Sequence, residues 1–112
     1  PARLHDWVSN YNWDDGLAPI WAIAEWPRTE FGTALLIYWR LGGPELEGNT
    51  APVNAEAVQL QAAVRQRLLG GFYPVGLVRF NPSGELSRVQ LYQYRKSGIP
   101  DILLSGSSEA LV

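Results

Sequence analysis

YPVGLVRFNPSGELSRVQLYQYR, residues 73–95, is the stretch whose reading decides the fold. On either side of Asn81-Pro82-Ser83-Gly84, the apolar residues alternate with polar ones and are rich in β-branched and aromatic side chains, a two-residue period. Asn, Pro, Ser and Gly stand where a type I turn prefers them. The pattern predicts a β-hairpin, Val75–Phe80 paired with Leu86–Arg95. IPDILLSG, residues 99–106, then reads as a short strand or an extended segment, and residues 105–112 as a flexible tail.

Everything before Gly71 carries a helical period. Leu4, Trp7 and Val8 stand at i, i+3 and i+4, so residues 3–10 form a short amphipathic helix. Pro19 is tolerated only in a first helical turn, so the second helix cannot start much before Gly16; Pro27 stops it after Trp26. Thr29 is placed to cap a third helix, Glu30–Leu41, with Glu30 near the positive end of its dipole. Gly32 is expected to let a neighbouring helix approach closely. After a loop rich in Gly, Pro and acid, Asn54 reads as the cap of a fourth helix, with Val53 and Val58 at hydrophobic-staple spacing. Ala57, Leu60, Val64 and Leu68 form its buried stripe, and Gln59, Gln61, Arg65 and Gln66 its outer face. Helices first and strands after predict an α+β fold: about four short N-terminal helices packed on a small C-terminal antiparallel sheet. One domain is expected over residues 1–112, with 1–71 mainly helical and 72–104 a hairpin and extended segment.

A chain of 112 residues suffices to bury one core. It has no cysteine, so disulfides, thiolate metal sites and cysteine nucleophiles are excluded together. The longest apolar stretch, Ala34–Trp39, is too short to span a bilayer, and no membrane partner is expected. A cytoplasmic location is the expectation. The net charge of −2 argues against a nucleic-acid partner. Its distribution is uneven: residues 1–50 hold seven acids against three bases, and residues 51–112 hold four acids against six bases. Faces of opposite sign steer partners more often than they perform chemistry. All five tryptophans lie in the first 39 residues. Most are expected in an aromatic core, with one or two exposed as interface anchors.

The residues that look catalytic are His5, Asp6, Asp14, Asp15, Glu25 and Glu30. With a single histidine and no HExxH-type spacing, no zinc site is expected. Asn12, Asp14 and Asp15 do not meet the frame of a calcium loop. Aspartates in a turn accept backbone N–H bonds one or two residues on, and such a side chain sits at the positive end of the following helix. Asp14-Asp15-Gly16 is therefore read as a helix-entry turn, in which an aspartate accepts N–H bonds near residues 16–18 and Trp13 is buried. The serines at 105, 107 and 108 lack a nucleophile elbow, and Gly32-Thr33-Ala34 lacks the spacing and lysine of a phosphate loop. Arg88, Arg95, Lys96, Tyr92 and Tyr94 read as the solvated face of the hairpin. No catalytic residue, metal or cofactor is assigned.

YNWDDG, residues 11–16, followed by Pro19, then Gly32-Thr33-Ala34-Leu35 and Tyr38-Trp39, resembles the signature of a bacterial family, domain of unknown function 4274. Ile99-Pro100 is similar to its closing segment. Where the family usually carries Cys-Asp, this chain has Thr29-Glu30. The resemblance marks Tyr11, Asn12, Trp13, Asp14, Asp15, Gly16, Gly32 and Thr33 as a fold signature and implies no activity. Small size, uneven charge, tryptophan density and the acidic loop point to a protein-binding module, an immunity- or antitoxin-like protein that blocks a bacterial toxin. Trp26, Glu45 and Glu47 are its expected contacts. The alternatives are a small metal- or carboxylate-dependent hydrolase using His5, Asp14, Asp15 and Glu30, and a structural or regulatory dimer.

Overall fold

Phe31 to Tyr38 are buried without interruption, eight residues in a row. A helix buried on every side needs neighbours all round it. In the computed structural model, which describes residues 2–76, 78 and 80–105, that helix is the axis of the molecule. In chain order the helices are α1 (Ala2–Asn10), α2 (Ala18–Glu25), α3 (Phe31–Leu41), α4 (Ala55–Leu69), α5 (Arg88–Lys96) and α6 (Asp101–Ser105). Val8 of α1, Ile20 and Ala24 of α2, Leu60, Val64 and Leu68 of α4 and Leu103 of α6 close around α3.

Among the described residues every regular element is helical and none is a strand. The expected α+β fold, with its C-terminal hairpin, is therefore wrong. Asn81-Pro82-Ser83-Gly84 does turn, with the Asn81 side chain accepting from the Ser83 N–H at 3.0 Å, but it forms a 3-10 helix, Pro82–Glu85. The second proposed strand is α5. Ser87 caps it by accepting from the Gln90 N–H, while the Gln90 side chain accepts from the Ser87 N–H, a reciprocal pair of bonds that sets a helix start. Of the residues expected as a last strand or extended segment, Asp101–Ser105 fold as α6 instead. Its carbonyls are taken up by other segments: Trp39 Nε1–H donates to Leu103 O at 2.8 Å and Ser83 Oγ–H to Leu104 O at 2.6 Å. Leu77 and Arg79 of the first expected strand, and residues 106–112 of the expected tail, lie outside the described residues.

Where the first strand was expected, no described residue is in a strand, and the segment packs against the start of α3. The Phe31 N–H donates to Pro74 O at 2.8 Å, and the Glu30 carboxylate accepts from the Val78 N–H at 2.9 Å. First-turn N–H groups of a helix need acceptors from outside it, and the segment after α4 provides one. Gly32 permits the approach: a Cβ there would lie 2.9 Å from Val78 O, a backbone atom that cannot swing aside.

Three capping expectations also change. Glu30, not Thr29, precedes α3, which begins at Phe31. Asn54 makes no cap bond; its side chain donates to Asn49 Oδ1 instead. Val53 is 90% exposed, so the staple with Val58 does not form. Gln61, expected outside, is buried and donates to Gly43 O at 2.7 Å, satisfying a carbonyl past the end of α3. Gly32→Ala is expected to cost about 1–3 kcal/mol of unfolding free energy by overpacking against Val78, measured by chemical denaturation. An unchanged denaturation midpoint would show that the contact yields.

Candidate functional site

The turn between α2 and α3 is held by its own backbone and by one buried hydroxyl. The Trp26 N–H donates to Ile23 O at 3.2 Å, and the Thr29 N–H to Trp26 O at 3.1 Å. Thr29, fully buried, donates its Oγ–H to the same Ile23 carbonyl at 2.6 Å. Between these fixed points Trp26, Pro27 and Arg28 are exposed. The Trp26 ring is 47% exposed for its residue, and the Arg28 guanidinium lies over it, 6.0 Å from the centroid. That distance is the outer reach of a cation–π contact.

A second aromatic–arginine pair adjoins the first. Arg67 Nη1–H donates to Ala24 O at 3.2 Å, and the Tyr73 O–H donates to the same oxygen at 2.6 Å. A cationic donor on a carbonyl of the last turn of α2 suits the negative end of that helix. Burial raises the pKa of the Tyr73 phenol, with Arg67 acting against it, so the hydroxyl stays a donor. The Arg67 guanidinium also lies 5.2 Å from the ring centroid of Phe72, which is 41% exposed. Ala24 and Trp26 are two Cα steps apart, at most about 7.6 Å. Arg67 and Phe72 therefore lie near the C-terminal end of α2, from which the turn that carries Trp26 and Arg28 leaves. Trp and Arg are the residue types enriched among dominant interface contacts.

The other expected contacts sit elsewhere. Trp26 precedes α3 while Glu45 and Glu47 follow it, and an eleven-residue helix rises about 16 Å. Glu45 accepts from the Tyr94 O–H at 2.8 Å. Glu47 accepts from the Tyr38 O–H and faces Arg65, whose Nε is 3.1 Å from Glu47 Oε1. Burial, reinforced by Glu47, pushes the Tyr38 phenol well above its ordinary pKa. These acids hold the segment after α3 against α4 and α5, beside a groove of about 550 Å³ lined by Glu47, Val58, Arg65 and Leu69.

The YNWDDG turn is built differently from the expectation. Asn12 is the acceptor, taking the Asp14 N–H on Oδ1 at 3.1 Å, and the 3-10 turn Trp13–Asp15 follows it. Asp14 and Asp15 are exposed, and Trp13 is half-buried against the core. Tyr11 ties the turn to Gly16 by donating its O–H to Gly16 O at 2.7 Å. Of the four residues of the hydrolase alternative, His5 and Glu30 lie within electrostatic reach of each other. Glu30 is engaged by Val78 and His5 by Thr33, with Nδ1 and Oγ1 3.1 Å apart. No group of three or more His, Asp or Glu placed to hold a metal occurs among the described residues. No described helix is long and apolar enough to cross a membrane.

Arg28, Arg67, Phe72 and Tyr73 went unread in the sequence as site residues. The exposed Trp-Pro-Arg between two helices was a usable signal for Arg28; nothing local announces that Arg67 and Tyr73 reach Ala24. Among the described residues the fold is all helical, with arginines over exposed aromatic rings near the C-terminal end of α2. The family model for a domain of unknown function (DUF4274) matches residues 1–65, and the chain belongs to that family. No curated protein and no solved structure matches the chain.

His5 supplies a pH test of the α1–α3 contact. Burial lowers its pKa from 6.5, Arg40 acting in the same direction and Asp6 and Glu30 against it. The unfolded chain then takes up a proton that the folded chain resists. The stability contributed by neutral His5 is complete above pH 6.5 and is lost as pH falls below 6.5 through the lowered folded value. His5→Gln removes this step, so the stability difference between wild type and variant should shrink on acidification, read from denaturation curves across that range. A difference independent of pH would count against a half-buried neutral imidazole.

Proposed function

We propose that the chain is a protein-binding module that neutralises a bacterial toxin by direct contact, in the manner of an immunity protein or antitoxin. The observation that carries this reading is Trp26, an exposed large aromatic on a turn whose backbone is already fixed by Ile23 and Thr29. A preorganised aromatic anchor loses little conformational freedom on binding, so its buried area converts efficiently into affinity. The turn also falls within residues 1–65, the portion shared with the family. Glu45 and Glu47 take a supporting part in this reading: they brace the loop after α3 and are not the first contacts.

The test is co-expression with the product of the neighbouring gene in the native host, followed by a toxicity assay and a purified binding measurement. Co-expression should rescue growth. Trp26→Ala should weaken the complex by about 2 kcal/mol or more, roughly thirtyfold in Kd, as expected for loss of a dominant aromatic contact. Its melting temperature should stay within a degree or two of wild type, because Trp26 caps α2 through its backbone N–H, which alanine keeps, and loss of an exposed side chain shifts stability by only ~0.5 kcal/mol. A neighbouring product that is harmless, or a complex indifferent to Trp26, would refute the reading.

A further inference from the structure

Near the C-terminal end of α2, Trp26, Arg28 and Phe72 are exposed and Arg67 is half-buried, on a chain whose net charge is −2 and whose first 50 residues are acidic. Among the described residues neither arginine has a carboxylate within salt-bridge distance; the ion pairs there join Arg65 to Glu47 and Arg95 to Asp101. Both guanidiniums lie over aromatic rings instead. A ring face holds an arginine in place electrostatically without consuming all of its N–H donors. Arg67 has given one donor group to Ala24 O and keeps others.

From this we infer that the surface is a docking site for an acidic protein segment, one that sets Asp or Glu carboxylates against Arg28 and Arg67 and an aliphatic or aromatic side chain against Trp26. The inference rests on the protein-binding reading above and adds the partner's chemistry. Planar, positioned guanidiniums suit bidentate recognition of carboxylates. A neutral partner would cover two arginines without pairing them, which carries a desolvation cost. A basic partner would meet like charge. Glu25 adjoins the patch and is exposed, leaving the four-residue surface and this acid together net positive. Phosphate backbones also carry negative charge, yet a long polyanion would have to lie along a protein that is acidic overall, against its wider field.

The experiment uses the whole chain, immobilised, to pan a random-peptide display library. Enriched peptides are then synthesised and titrated against wild type and variants at low and high salt, with oligothymidylate titrated in parallel. The enriched set should concentrate Asp and Glu beside aliphatic or aromatic residues. Binding should weaken with salt and fall at least tenfold in Arg28→Glu, and Arg28→Gln should fall between the two. Panning on Arg28→Glu should shift the enriched set away from acids. Arg28 is exposed and makes no hydrogen bond among the described residues, so Arg28→Glu should melt as wild type does, and the variant reports on binding alone. A library that yields no ligand, a basic or charge-blind consensus, affinity unchanged in Arg28→Glu, or tighter binding of oligothymidylate than of any peptide would each overturn the inference. Two failures are distinguishable. A native partner sensitive to Trp26→Ala but indifferent to Arg28 and salt removes only the acidic-segment inference, whereas a partner indifferent to Trp26 removes the binding reading beneath it.

Discussion

The fold depends on what happens at the N-terminal end of α3. A helix buried over Phe31–Tyr38 cannot leave its first-turn N–H groups to water, and its own residues cannot accept all of them. Pro74 O takes the Phe31 N–H, and Glu30 reaches outward to take the Val78 N–H. These two bonds do reciprocal work. They complete the helix start, and they engage the backbone of a segment whose composition favours a strand. Gly32 lets the two chains come close enough for both bonds to form.

The same constraint explains which parts of the fold were legible in the sequence. α1 to α4 were readable because Pro19, Pro27, Gly42-Gly43 and Gly70-Gly71 punctuate an i, i+3, i+4 period over long enough runs. Residues 73–95 were misread because short alternation does not separate a strand from a helix. In α5 the half-buried Leu91 and Tyr94 are three residues apart, a helical spacing that Val89 and Tyr92, both exposed, obscured. A stronger local signal was present. Ser87-Arg88-Val89-Gln90 is a capping-box pattern, and both of its bonds form. Nothing local, by contrast, announces that the backbone of Val78 is met by Glu30 across 48 positions of sequence.

The site was legible only in its local part. Trp26 was identifiable because a proline-stopped helix places it at a boundary, where a large ring is less easily covered. Glu45 and Glu47 were weighed as free charges, and free charge is a property of the folded surface. In the structure, Glu45 is engaged by Tyr94, and Glu47 by Tyr38 and Arg65. Asp14 and Asp15 show the converse: they were assigned acceptor roles at the entry of α2, whereas Asn12 is the acceptor, one turn earlier, and they remain solvent-facing. In each case the residue type was informative and its partner was not.

Counting charges along the chain therefore gives the wrong sign for the aromatic face. The N-terminal half is acidic by count, yet Glu30, Glu45 and Glu47 there are drawn into internal bonds at the two ends of α3. Arg28, from the same acidic half, is left over a ring instead of beside a carboxylate, and α4 delivers Arg67 to the Ala24 carbonyl in the last turn of α2. The local field at the end of α2 is set by which charges the fold has already paired. A partner diffusing toward this molecule meets a protein of net negative charge with arginines set over aromatic rings near the end of α2, an arrangement that favours orientation over general attraction.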